Sequence, residues 1–228
     1  MEFDFFLWPM VLSMIFPILY SLKYKKEFLK PIFIITFSMF LIIILYWPLV
    51  SSNLFSQYTY IVSKFFIFVL LPAILLLITL KDKIPIFFQK LGLTNKGLKN
   101  SLMWCSLFIP IMLIVTLIIQ FYNGVHFDSN LFLGSISFFE SFTEEFFFRG
   151  ILFIYLLAHT NLKVAYITSL ASFVLMHPQH ITTLFIIPTI IQGILTIEIC
   201  RRSKNMIGAW ILHGVNRFFI IVIIPLIL

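Results

Sequence analysis

One apolar run in this chain keeps four ionisable side chains. Residues 135–157 read SISFFESFTEEFFFRGILFIYLL, with Glu140, Glu144, Glu145 and Arg149 set among phenylalanines and leucines. At helix depth in a bilayer each such group costs about 2.5–3.5 kcal/mol, so four of them persist only if paired, turned inward or used. Helical spacing sorts them. Glu145 and Arg149 are four apart, on one face and suited to an ion pair, while Glu144 lies about 100° round the helix and is left for chemistry. Glu140, one turn earlier, shares the face of Glu144. Two histidines follow inside apolar runs, His177 in ASFVLMHPQH and His213 in GAWILHGVNRF, with Asn216 three residues after His213.

Hydrolysis needs a base to activate water, a partner to hold that water, and donors for the oxyanion that develops on the attacked carbonyl. Glu144 with His177 supplies the first two, and His213 with Asn216 the donors. The same Glu144, His177 and His213 also make a His₂Glu set of the kind that binds catalytic zinc. No HExxH sequence supports the metal, and no cofactor is expected. The plainer reading of the charged run is that it glues helices together or lines a polar cavity. No GxSxG or GxGD sequence points to a serine-type or aspartyl-type intramembrane protease. His180, beyond Pro178, reads as a boundary residue. His126 and His159 fall in loops and receive no role.

The elements that must position these groups are membrane helices. The 228 residues are 61% hydrophobic and 11% charged, far from the roughly 25% charged content of soluble domains. The apolar residues come in long runs that must satisfy their own backbone hydrogen bonds, and the short alternating segments of a membrane barrel are missing. The expected fold is an all-α polytopic bundle of about eight spans, near 3–22, 31–50, 61–80, 101–121, 135–157, 164–180, 181–200 and 206–227, with the site in the C-terminal half. One integral membrane domain, 1–228, is expected: 1–100 is its less specific part, and 101–228 carries the motifs. The first span has no basic cluster before it and no cleavage site after it, so it does not read as a removable signal.

Basic residues fall on one side of this count. Thirteen lie in the loops after spans one, three, five and seven, against Lys64 alone at a helix edge on the other side. Lysine and arginine concentrate in cytoplasmic loops, so both termini are expected outside the cytoplasm of a multi-pass cell-membrane protein. The net charge of +7 follows from that asymmetry. Lipid headgroups are its counter-ions and nucleic acid is not implied. The stretch Lys81–Asn100 reads as a short amphipathic segment at the interface. Cys105 and Cys200, inside apolar runs, read as packing residues. No inverted repeat favours an ion-coupled transporter.

The ordered motifs EExxxR (Glu144, Glu145, Arg149) and FxxxH (Phe173, His177), then a glycine-containing helix, a basic turn and a final His-bearing helix resemble those of the CPBP, or Abi, family. That family includes the type II CAAX prenyl endopeptidases and proteins implicated in bacteriocin processing or immunity. The resemblance covers residues 135–218 and extends to the lead-in KLGLTNKGLKN. It implies an intramembrane endopeptidase in which Glu144 activates water together with His177, Glu145 and Arg149 support it, and His213 stabilises the oxyanion. The implied substrate is membrane-associated, prenylated (CAAX-type) or bacteriocin-related. The alternative is a non-catalytic protein of the same fold acting in immunity or as a binding scaffold. One position departs from the pattern. The asparagine usual four residues after the last histidine is Arg217 here, with Asn216 three after, and Arg217 then needs an anionic neighbour such as Glu140 or Glu198. Helical rise adds one tension: Glu144 and His177 lie about 20 Å, and His213 about 10 Å, from the same-side ends of their spans.

Overall fold

The computed structural model describes residues 8–51, 57–124 and 128–228. Those residues are 86% helical and contain no strands. The chain's first column is broken in two, α1 (Trp8–Leu12) and α2 (Ile15–Tyr24), at a turn where the Ser13 hydroxyl donates to the Met10 carbonyl. Next come α3 (Leu29–Ser51) and a third column made of α4 (Gln57–Phe65), a π-helical turn (Phe66–Leu70) and α5 (Leu71–Leu80). The stretch expected to be amphipathic holds one short helix, α6 (Ile84–Lys90), whose exposed Lys90 is paired with Asp82.

The C-terminal half begins at α7 (Leu98–Asn123), entered from Gly97 at φ 76°. Leu107, Ile111, Ile114, Ile118 and Phe121 stay exposed along it. They recur at the three- and four-residue spacing of one helix face, the stripe a membrane helix turns to lipid. Two helices then start from asparagine caps, a side chain able to accept from the free N–H groups of a first turn. Asn130 accepts from Leu133 N at the head of α8 (Leu131–Glu145), and Asn161 accepts from Val164 N at the head of α10 (Leu162–Leu175). Between them the α8 column continues through a ten-residue π-helical stretch (Phe146–Tyr155) into α9 (Leu156–His159). Every residue of that stretch is buried. Widened turns of this kind are frequent at functional sites. The chain closes with α11 (Pro178–Ile181), α12 (Ile186–Ser203), α13 (Ile207–Phe218), a π-helical turn (Phe219–Ile223) and α14 (Ile224–Ile227).

Four helical runs among the described residues are long and apolar enough to cross a membrane by length and composition: Lys26–Tyr46, Ile61–Leu80, Leu98–Asn123 and Ile207–Ile227. Four further columns stand where the other expected spans fall, but they are shorter, interrupted or carry the charged cluster. The boundaries expected at 164–180 and 181–200 are corrected. The helix stops at Leu175, and α12 starts only at Ile186. Pro178 explains the break, because a proline disfavours helical backbone at the residue before it, and His177 accordingly sits at φ −112°, ψ 64°.

The turn from α12 to α13 exposes Lys204 but buries the two residues after it. Asn205 is fully buried, and its side-chain amide donates to the carbonyls of Thr94 and Lys96, while Met206 N donates to Gly92 O. This end of α13 is therefore recessed under the α6–α7 loop. Cys105 and Cys200 are free, buried thiols.

Candidate functional site

Glu144 stands on the last turn of α8, nearly fully buried. Its two carboxylate oxygens face different neighbours. Oε1 accepts from Lys64 Nζ at 2.6 Å and lies 4.0 Å from Arg217. Oε2 lies 3.8 Å from His177 Nε2 and 3.9 Å from His213 Nε2. The expectation that Glu144 is left without a structural partner is therefore corrected, since one of its oxygens is committed and the other is aimed at both imidazoles. Those two distances are too long for direct hydrogen bonds, and among the described residues Oε2 is buried without one.

Each imidazole is oriented from behind. His177 Nδ1 lies 2.9 Å from the Phe173 carbonyl, one turn back in α10. His213 Nδ1 lies 2.8 Å from Glu145 Oε1. A carbonyl or a carboxylate can only accept, so both Nδ1 atoms carry hydrogen, and in the neutral ring both Nε2 atoms present lone pairs toward Glu144. As the resemblance implies it, oxyanion stabilisation by His213 would need an imidazolium, because the neutral ring has no N–H at Nε2.

The phenylalanine of FxxxH has a second use. Arg149, fully buried, stacks its guanidinium 4.2 Å from the centre of the Phe173 ring, donates to Thr196 Oγ1 at 2.8 Å through Nε, and pairs with Glu145 Oε2 at 3.2 Å. Glu145 thus joins Arg149 on one side to His213 on the other. The residue spacing foretold the Arg149 side of this bridge and not the His213 side.

Close helix packing makes those reaches possible. A Cβ at Gly214 of α13 would sit 2.7 Å from the Phe138 ring of α8. Glycine there lets the two helices approach until His213 touches Glu145. Asn216, one turn along the same face, donates to Gln192 Oε1 at 2.9 Å and accepts from the Thr116 hydroxyl at 2.8 Å. Arg217 finds the anion it requires in Glu140, at 3.3 Å, whereas Glu198 is taken by Arg201 and Arg202.

Three sequence readings need revision. Lys64, expected only as a basic residue at a helix edge, is 1% exposed and paired with both Glu140 and Glu144. His180 is no mere boundary residue. Its ring stacks 5.2 Å from that of His177, its Nδ1 lies 2.7 Å from Thr189 Oγ1, and it lines the same cavity. His159 ends α9 stacked on Phe28 rather than lying in a loop. His126 lies outside the described residues.

A cavity of about 340 Å³ leads to this cluster. His177, His213, Asn216 and Arg217 line it together with Thr116 and Gln120 of α7 and the apolar Phe185 and Pro188. The ammonium on Glu144 Oε1 and the guanidinium beside it already place two positive charges next to the carboxylate that a metal would need. Among the described residues no three His, Cys, Asp and Glu side chains are arranged as a metal-ligating group.

A family model described as type II CAAX prenyl endopeptidase Rce1-like matches residues 106–219, half of the chain. No curated protein and no solved structure matches it.

Proposed function

The chain belongs to the type II CAAX prenyl endopeptidase Rce1-like family, and we propose that it is an intramembrane endopeptidase that hydrolyses a peptide bond of a membrane-associated substrate through a glutamate-activated water. The observation that carries this reading is the aim of Glu144 Oε2 at the Nε2 atoms of both His177 and His213, 3.8 and 3.9 Å away, the two imidazoles standing between that carboxylate and the cavity they line. A water held among three acceptors donates one hydrogen to Glu144 and the other to an imidazole, and its free lone pair points outward to a carbonyl in the cavity.

Glu144 takes the water's proton as the hydroxyl oxygen bonds to the carbonyl carbon. The carbonyl π electrons pass to the oxygen, where Asn216 and Arg217 supply N–H donors from the cavity wall. Asn216 spends one amide hydrogen on Gln192 and has a second to give. Collapse of the tetrahedral adduct breaks the C–N bond, and the proton held by Glu144 passes to the departing amine. Every charge in this sequence is met by residues of the chain, and the reaction is proposed to need no metal. A bacteriocin-immunity or scaffolding role would use the same fold without this alignment.

The test is cleavage of a panel of prenylated and unprenylated peptides by the purified protein, compared with Glu144→Ala. Cleavage by the wild type alone supports the proposal, and the preference within the panel names the substrate. Intact peptides with both proteins, or equal cleavage by both, would reject it.

A further inference from the structure

Lys64 comes from α4, more than forty residues before the segment that matches the family, yet its ammonium reaches the centre of the site. We propose that Lys64 is a positioning residue of the hydrolytic centre: it holds Glu144 by one oxygen so that the other faces the histidines, and it balances the charge of the Glu140–Glu144 pair. The inference rests on the role of Glu144 given above.

Four observations carry it. The ammonium is buried and donates to Glu144 Oε1 at 2.6 Å and to Glu140 Oε1. Tyr46 and Phe68 present ring centres 5.4 and 5.7 Å from Nζ, an aromatic seat for a cation. Glu140 and Glu144 are one helical turn apart, where like charges repel, and the repulsion grows as the surroundings become less polar. Arg217 closes the group from the cavity side, 3.3 Å from Glu140 and 4.0 Å from Glu144. Among the described residues, two carboxylates and two cations balance. Holding Oε1 also removes the rotation of the carboxylate about its last bond, so Oε2 keeps its aim at His177 and His213. A compact ammonium with three donors can serve two carboxylates at once. The chemistry of the matched segment is therefore completed by a residue that the match does not include.

The experiment measures kcat and KM of wild type, Lys64→Met and Lys64→Met/Glu140→Gln on the best peptide of the panel, using folded, monodisperse protein. Losing the aim of a reacting group by a fraction of an ångström to an ångström costs on the order of 10²-fold, so kcat of Lys64→Met should fall about 10²-fold with KM little changed. Removing the Glu140 charge as well restores the balance but not the donor, so the double variant should recover about tenfold over the single one. A purely mechanical tie between α4 and α8 predicts no such recovery. Unchanged kcat, a loss confined to KM, or no recovery in the double variant would overturn the proposal. A rise in kcat would also overturn it and mark Lys64 as a brake. If Lys64→Met cannot be purified folded, the double variant decides alone: about tenfold below wild type in kcat supports the proposal, and wild-type kcat overturns it. A readout free of turnover separates failure here from failure of the peptidase reading. Dicyclohexylcarbodiimide condenses touching carboxyl and amine groups to an amide, so mass spectrometry should find the Lys64 peptide joined to the peptide of Glu140 or Glu144. Absence of that link overturns the placement of Lys64 whatever the protein cleaves.

Discussion

Replacing Glu145 by glutamine should damage stability and catalysis together, through two different atoms. Glu145 Oε2 pairs with Arg149 at 3.2 Å and Oε1 accepts from His213 at 2.8 Å, with all three residues buried. Glutamine keeps the shape but offers one acceptor and one donor. If its carbonyl meets His213, its NH₂ confronts the Arg149 guanidinium. If it flips, its NH₂ meets Nδ1 and forces the imidazole hydrogen onto Nε2, the atom that faces Glu144. Breaking a buried ion pair from one side costs about 3–5 kcal/mol. Arg149 keeps Thr196 and the Phe173 ring, so the lower end applies. At roughly 2–4 °C per kcal/mol for a chain of this size, Tm should fall by roughly 6–12 °C. A misplaced imidazole tautomer costs up to about 10⁴-fold in a triad hydrolase, and here kcat should fall by at least about 10-fold. Tm and kcat are measured on one preparation below the lower Tm. Full kcat alongside a lowered Tm would mean that His213 does not depend on Glu145, and an unchanged Tm would mean that Arg149 does not.

Three shorter predictions follow from other parts of the molecule. Gly214→Val should drive a methyl group into the Phe138 ring and push α13 off α8, costing about 1–3 kcal/mol and depressing turnover; unaltered thermal stability and activity would show that the close approach is not needed. Peptidase activity should survive exhaustive chelation, and the protein should purify without stoichiometric metal; loss of activity restored by zinc alone would make Glu144 a ligand rather than a base. A reporter that works only in the cytoplasm, fused after Leu228, should stay silent, and a strong signal would mean that the helices cross the membrane in a different order.

The ionisable cluster was legible because an apolar background makes each charge conspicuous. Glu144, His177 and His213 could be chosen from context and spacing, and the structure brings their side chains together. What spacing cannot show is which of two oxygens faces which neighbour, so the Glu145–His213 bond and the tie from Lys64 to Glu144 were missed. A charge count held the clue to Lys64. Glu140, Glu144 and Glu145 outnumber Arg149 and Arg217 in the spans that carry the site, and apart from those two arginines Lys64 is the one basic residue outside the loops after spans one, three, five and seven. Gln192, Thr116 and Thr196 left no such trace, since uncharged polar residues are ordinary in membrane helices. The end of α10 was misjudged although Pro178 marked it, because hydropathy runs on across the break. The recessed turn at Asn205 cannot be read from hydropathy at all, since its burial depends on the distant loop around Gly92 and Gly97.

That turn gives the bundle unequal stiffness along its length. At the end held by Asn205, backbone meets backbone with no room for a side chain: a Cβ at Gly97 would lie 2.1 Å from the Ser203 carbonyl, and one at Gly208 2.2 Å from that of Ser101. The start of α7, the end of α12 and the start of α13 are clamped there. The cavity instead is walled by the far ends of the same helices, Thr116 to Gln120, Phe185 to Gln192, and His213 to Ile221. Pro110 interrupts the hydrogen-bond ladder of α7 between the clamp and the cavity, a natural place for that helix to bend. At the cavity, among the described residues, those far ends are joined by side chains alone: Asn216 of α13 accepts from Thr116 of α7 and donates to Gln192 of α12, so one amide is the polar tie among three helices there.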